Sequence, residues 1–201
     1  MTKNVEDFAA LIGSRICHDL ISPIGAISNG MELLSLAQTD SIPEMALVNE
    51  SVTAANARIR FFRIAFGTTS DTQTISSREI FDVLEALGAQ GRVQYQWHAT
   101  GDFPRSQAKL ALLLIMGLTQ SLPFGGKVAA NIEDECLYLS ACGGEIRYDH
   151  ALWGLVTGAD GTATLAPDTV HFALAGHELK RQGRRLSVSE EHDRIRLSVT
   201  A

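Results

Sequence analysis

The sequence is poor in cysteine: Cys17, Cys136 and Cys142 are its 3 residues of this type, and no two stand in a C-x-x-C pair. Any single bridge leaves one thiol over, a pattern that fits a reducing compartment better than a disulfide-built secreted domain. Cations are also in short supply, with 17 Lys plus Arg against 23 Asp plus Glu and a formal net charge of -6. Phosphate backbones reward clustered positive charge, so nucleic acid is a poor fit as a partner. The longest apolar run, Leu110–Met116 (LALLLIM), falls far short of the roughly 18 residues that suggest a membrane span. The opening MTKNVEDFAALIGSR carries two acids and lacks the basic-then-apolar order of a secretion signal. Together these gaps lead us to expect a soluble, cytoplasmic protein. No G-x-S-x-G elbow and no P-loop occur, which removes the serine-hydrolase and P-loop nucleotidase readings.

What remains is an ordinary globular balance, 45% hydrophobic and 20% charged, enough to build a core. From residue 4 to about 36 the apolar positions Ile12, Ile16, Leu20, Ile24, Ile27, Met31 and Leu34 recur at steps of four and three, which predicts one long amphipathic helix. Gln38-Thr39-Asp40 ends it. Ser41 as N-cap, Pro43 in the first turn and Glu44 completing a capping box open a second helix. Its seam, Met45, Val48, Val52, Ala55, Ile59, Phe62 and Phe66, alternates at steps of three and four, as in coiled coils, and stops at Gly67. A lone helical hairpin leaves much apolar surface wet, so pairing two copies into a four-helix bundle is expected, as a homodimer.

Beyond the loop Gly67–Ser76 the texture changes. Ser77–Leu87 and Ser106–Leu122 read as helices, Arg92–His98 as a strand, then Val128–Glu133, Cys136–Cys142 and Ile146–Tyr148 as further strands. A helix from about Thr169 to Gln182 precedes two last strands, Leu186–Glu190 and Arg194–Thr200. Helices mixed with antiparallel strands predict an α+β fold.

The chemistry concentrates in Cys17-His18-Asp19-Leu20-Ile21-Ser22-Pro23. On a helical wheel His18 lies about 200° from Ile16, away from the apolar stripe. One turn away on either side stand Ser14 and Ser22, small and polar, so the imidazole should meet solvent with clear space around it. An imidazole titrates near neutrality and keeps a large neutral fraction, which lets one ring nitrogen act as a nucleophile while the other holds its proton. Asp19 is the candidate group to orient that ring or to move its proton. Pro23 deletes the helical hydrogen bond to the carbonyl of Asp19 and should loosen the helix just past the histidine. A cysteine-protease reading of Cys17-His18 fails, because adjacent helical side chains point about 100° apart. Cys136, Cys142 and His150 have unhelpful spacing for a metal, and core cysteine is the simpler reading. Trp97, Trp153 and Phe172 read as core. Arg58, Arg60 and Arg63 on the second helix, and Arg181, Arg184 and Arg185 near the end, read either as solvated surface or as groups that steer an acidic partner.

His18-Asp19-Leu20-x-x-Pro23 resembles the phosphoacceptor motif of sensor histidine kinases, at the front of a two-helix hairpin. The rest of the chain resembles the kinase ATP-binding domain in layout. The helix within residues 110–126 looks like the one that supplies a magnesium-binding asparagine, and Gly117 stands at the matching position. The glycine-rich nucleotide loops of that family, D-x-G-x-G and G-x-G-x-G, are missing. The combination is similar to the ChpT-type histidine phosphotransferases of the alphaproteobacterial phosphorelay.

That resemblance implies a hairpin for dimerisation and phosphotransfer over residues 1–70. It is followed by a degenerate ATPase-like α/β sandwich domain over 71–201 that docks partners and binds no ATP. It implies His18 as the phosphorylated residue and receiver domains of a hybrid kinase and of response regulators as partners. Ser14, Ser22, Pro23 and Arg58 are expected at the docking surface. No cofactor of its own is expected, with Mg2+ supplied on the receiver. No ATPase or autokinase activity is expected; the alternatives are an autokinase with an atypical nucleotide site, or a non-catalytic dimeric scaffold or kinase inhibitor.

Overall fold

A 35-residue helix, α1 (Thr2–Leu36), opens the fold and continues through Pro23. The structure, a computed structural model, describes residues 2–36, 42–70, 72–89, 91–133, 135–159 and 163–200. α2 (Ile42–Ala65) returns along α1. The capping box expected at Ser41 lies outside the described residues. The two helices approach closely where Gly30 meets Val48: a Cβ on Gly30 would lie 2.6 Å from the Val48 Cγ2 methyl. Pro23 is buried.

The remaining elements are β1 (Thr74–Ser76), α3 (Ser77–Gly88), β2 (Val93–Trp97), β3 (Asp102–Pro104), α4 (Arg105–Gln120), β4 (Gly126–Glu133), β5 (Cys136–Cys142), α5 (His150–Thr157), α6 (Val170–Gln182), β6 (Arg185–Glu191) and β7 (Arg194–Thr200). The main sheet has the order β2-β4-β5-β7-β6, and β1 pairs with β3 in a small separate ribbon. The fold is α+β, as expected, with two corrections. β2 and β4 pair in parallel, not antiparallel, because α4 crosses over between them. Ile146–Tyr148 is not a strand. The Tyr148 ring stacks on Trp153 at 5.8 Å and the next residue, Asp149, caps α5: its carboxylate accepts from the Ala151 and Leu152 amides, both at 3.0 Å. Such an N-cap side chain satisfies donors that the first helical turn leaves free.

One face of the sheet supplies the core. Leu137, Leu139 and Ala141 of β5 lie opposite Val199, Leu197 and Ile195 of β7, and all six are buried. Side chains two apart on a strand share a face, so this register keeps the apolar set together. α4 packs over that face with Leu110, Leu112, Leu113, Leu114, Ile115 and Leu118 buried, and α6 packs beside it. The opposite face carries Ser140, Ser187, Ser189, Arg196 and Ser198, together with Tyr138.

A buried ion-pair network ties the end of the hairpin to this layer. Glu178 of α6 accepts from Lys109 of α4 at 3.2 Å and from Arg181 at 2.9 Å. Lys109 also donates to the Gly67 carbonyl at 3.0 Å, and Arg181 to Thr69 Oγ1 at 3.0 Å. Burial alone would raise the Glu178 carboxyl, but Lys109 and the bonds from Arg181 and Lys109 outweigh it and hold it below its ordinary value. Arg105 donates to the Arg63 carbonyl at 3.1 Å, and Arg63 pairs with Glu79 at 3.1 Å. Among the described residues no helix is long and apolar enough to cross a membrane.

Candidate functional site

Helical geometry alone presents His18. It lies on the side of α1 that faces neither α2 nor the core, with a side chain 85% exposed. Ser14 and Ser22 one turn away are exposed as well, and nothing approaches within 4 Å of where a Cβ on Gly25 would sit. The imidazole is therefore open on its outer edge. Its inner edge is held: Nδ1–H donates to Asp19 Oδ1 at 3.1 Å. A carboxylate can only accept, so this contact selects the tautomer with the proton on Nδ1 and leaves the Nε2 lone pair toward solvent.

Asp19 is itself held. Its second oxygen, Oδ2, accepts from Arg15 Nε at 2.8 Å, an i, i+4 pair on one face of α1. The far end of the same guanidinium, Nη1, donates to the backbone carbonyl of Asp168 at 3.1 Å, just ahead of α6. Asp19 and Arg15 are 20% and 23% exposed, far more sheltered than the histidine they support. A three-residue chain thus runs from the exposed ring to the main chain of the second half of the protein. The sequence analysis did not single out Arg15; its i, i+4 spacing from Asp19 is the signal that could have found the pair, whereas the connection to Asp168, 153 residues away, leaves no such signal.

Behind this chain lies a cavity of about 400 Å³. Arg15, Asp19 and Arg58 border it from the hairpin, and Tyr95, Thr119 and His171 from the other side. Tyr95 and Thr119 hydroxyls share a hydrogen bond at 3.3 Å. Burial pushes the Tyr95 phenol up, against the opposing Thr119 bond and Arg58 charge. His171 is 1% exposed, and neither ring nitrogen has a hydrogen-bond partner. Its ring lies 4.4 Å from that of Phe172. Burial first, and the Arg15 guanidinium second, pull its imidazole down to about 3, so it is neutral in the fold at neutral pH. Nothing in the sequence pattern distinguished His171 from an ordinary core residue.

The other expected site residues divide. Arg58 lines the cavity together with Arg15 and Asp19. Pro23 is buried, and it lines a cavity of about 410 Å³ together with Ser22 and Arg58. Arg63, Arg181 and Arg184 are engaged within the chain, Arg184 through the Glu135 carbonyl at 2.8 Å. All three cysteines are free thiols, and no group of metal-ligating side chains occurs among the described residues.

Gly117 lies inside the buried stretch of α4, and its surroundings are filled. A Cβ there would stand 3.0 Å from Phe172 Cε1 and 3.2 Å from the Trp153 ring. Trp153 and Phe172 are 1% and 2% exposed and meet edge to face at 5.2 Å. An asparagine at this position has no room to reach a metal, because two aromatic rings occupy the space in front of it.

The histidine phosphotransferase C-terminal domain family matches residues 77–194. Protein phosphotransferase ChpT of Brucella abortus (strain 2308) is 36% identical over 135 residues, 66% of this chain and 64% of that protein. The match thus spans somewhat less than two thirds of that curated relative's length. A solved structure of a bacterial phosphotransferase superposes with a TM-score of 0.81 at 29% identity, covering 96% of each chain. The histidine kinase AdeS of Acinetobacter baumannii aligns with a TM-score of 0.44 at 10% identity, over 90% of this chain and 95% of that one.

The buried His171 has a consequence for stability. Between its folded value of about 3 and its ordinary value of 6.5, only the unfolded chain binds the proton. Stability associated with neutral His171 is therefore complete above about pH 6.5 and declines as the pH falls through that window. Urea unfolding of the wild type should show a midpoint that drops from pH 7 to about pH 5 more steeply than that of a His171→Phe variant. Equal pH slopes in the two proteins would exclude a neutral buried imidazole here.

Proposed function

The chain belongs to the histidine phosphotransferase family, and on that premise we propose that it relays a phosphoryl group through His18 between receiver-domain aspartates, without using ATP. The observation that carries this reading is the state of the imidazole: exposed on Nε2 and held through Nδ1–H by Asp19. A buried histidine, or one with its tautomer free, would serve this chemistry poorly.

The Nε2 lone pair attacks phosphorus of an aspartyl phosphate on the donor receiver; the N–P bond forms while the P–O bond to the aspartate breaks, and the carboxylate departs with that electron pair. Nδ1 keeps its proton, so the ring carries positive charge, which the Asp19 carboxylate faces. Transfer onward reverses the roles, with a carboxylate of the next regulator attacking and neutral His18 departing. Phosphoryl transfer depends mainly on positioning and charge neutralisation, and Mg2+ bound to the receiver would supply the latter. Ser14, Ser22, Pro23 and Arg58 are assigned to docking.

The packing at Gly117 favours this reading over an autokinase. In this reading the hairpin, residues 1–70, serves dimerisation and phosphotransfer, the domain at 71–201 serves docking, and the protein works in the cytoplasm. Purified protein offered label from ATP and from a phosphorylated receiver domain should take it from the receiver alone, as an acid-labile adduct that a His18→Ala variant lacks. Label taken directly from ATP would make the chain a kinase. A His18→Ala variant that still accepts label from the receiver would remove His18 from the reaction.

The proposed homodimer rests on how the α2 seam divides. Val48, Ala55 and Phe62 are buried within the chain, whereas Met45, Val52 and Ile59, seven residues apart, stay 50%, 40% and 50% exposed. On α1, Ile24 and Met31 repeat the pattern at 56% and 54%. Burying one such aliphatic side chain fully is worth about 1.5–3 kcal/mol, which supports a second copy of the hairpin as the cover. Sedimentation should give a dimer for the wild type and a monomer for Val52→Asp. A wild-type monomer at micromolar concentration would contradict the four-helix arrangement.

A further inference from the structure

We propose that Arg15 is a positioning residue for phosphotransfer, acting on His18 only through Asp19; the proposal rests on the phosphotransfer reading above. The geometry is directional. Asp19 uses one oxygen for each neighbour, Oδ1 for His18 and Oδ2 for Arg15, so the guanidinium sets the plane of the carboxylate that in turn sets the ring. Without Arg15, the Asp19 side chain keeps its freedom to rotate and its hold on Nδ1–H weakens.

Arg15 is anchored in turn. Nε serves Asp19 and Nη1 serves the Asp168 carbonyl, so a single planar fork spans two acceptors on separate parts of the chain. A guanidinium suits this task because its donors are fixed relative to one another, whereas an ammonium is a point charge on a flexible stem. The acceptor at Asp168 is main-chain, placed by the entry to α6 and independent of that residue's side chain. The orientation of His18 is thereby tied to the backbone ahead of α6. Arg15 lines the cavity together with Asp168 and His171.

The test reads two quantities in the full-length protein: the rate of label transfer from a phosphorylated receiver, and the His18 tautomer by nitrogen NMR of histidine-labelled protein above the imidazole titration. The wild type is expected to show protonated Nδ1 and bare Nε2 at His18. Arg15→Ala is expected to shift the ring toward the Nε2–H form and to slow transfer by about 10- to 100-fold, the size of effect that follows loss of a group orienting a working side chain. Arg15→Lys keeps a cation beside Asp19 but cannot span both acceptors, and both readouts should fall between those of the wild type and Arg15→Ala. Asp168→Ala, which retains the carbonyl, should match the wild type in both.

Arg15→Ala with an unchanged ring signature overturns the proposal, whether its transfer is slow or normal. Arg15→Lys equal to the wild type overturns the tie to Asp168, since charge alone would then suffice. A shifted tautomer in Arg15→Ala, in a protein whose wild type never accepts label on His18, would instead refute the phosphotransfer reading and leave the positioning role standing.

Discussion

A histidine that reacts with other proteins meets two opposed demands: its ring has to be open to a partner, yet fixed enough to offer one particular nitrogen. Exposure costs orientation, because a side chain 85% exposed has no packing to hold its rotamer. Here a single hydrogen bond reconciles the two. Nδ1–H donates to Asp19, and all of the support lies on the inner side of the ring. The carboxylate is far more sheltered than the imidazole and has its own partner in Arg15, so order is passed outward from the interior to the surface.

The rest of the architecture keeps that chain of contacts in place. Lys109, Glu178 and Arg181 lock α4 to α6 and reach the residues that follow the hairpin at Gly67 and Thr69. Removing one member of such a buried network would leave a charge without its partner, which is why networks of this kind fix geometry even where they add little net stability. The helix layer then presents the Asp168 carbonyl to Arg15. Aromatic packing closes the interior of the same layer: Trp153 and Phe172 fill the space facing Gly117. In the proposed function, that half of the chain serves as a rigid docking surface.

Much of this was legible in the residues. The period of the apolar positions in α1 and α2 predicted both helices, and the place of His18 off the stripe predicted its exposure. The strands from Val128 to Cys142 and from Leu186 to Thr200 followed from simple alternation. What escaped has physical reasons. α5 is short and largely apolar, so it has no helical contrast, and its one start signal, the Asp149 cap, follows a segment that reads as a strand. The seam of α2 read as one stripe, whereas close approach at Gly30 and Val48 divides it into a buried row and an exposed row. The parallel pairing of β2 and β4, the hydrogen bond from Arg15 to Asp168 and the burial of His171 are non-local, and local periodicity carries no trace of them.

If Asp19 leaves Nε2 as the nucleophile, the phosphoryl group must sit on that nitrogen, so its position on the ring is the quantity to measure. Nitrogen-labelled protein, phosphorylated from a receiver domain, can be analysed by phosphorus–nitrogen NMR for the bonded atom. A single phosphohistidine at His18 is expected, with phosphorus on Nε2 and a proton retained on Nδ1. Phosphorus on Nδ1, or on any other residue, would contradict it.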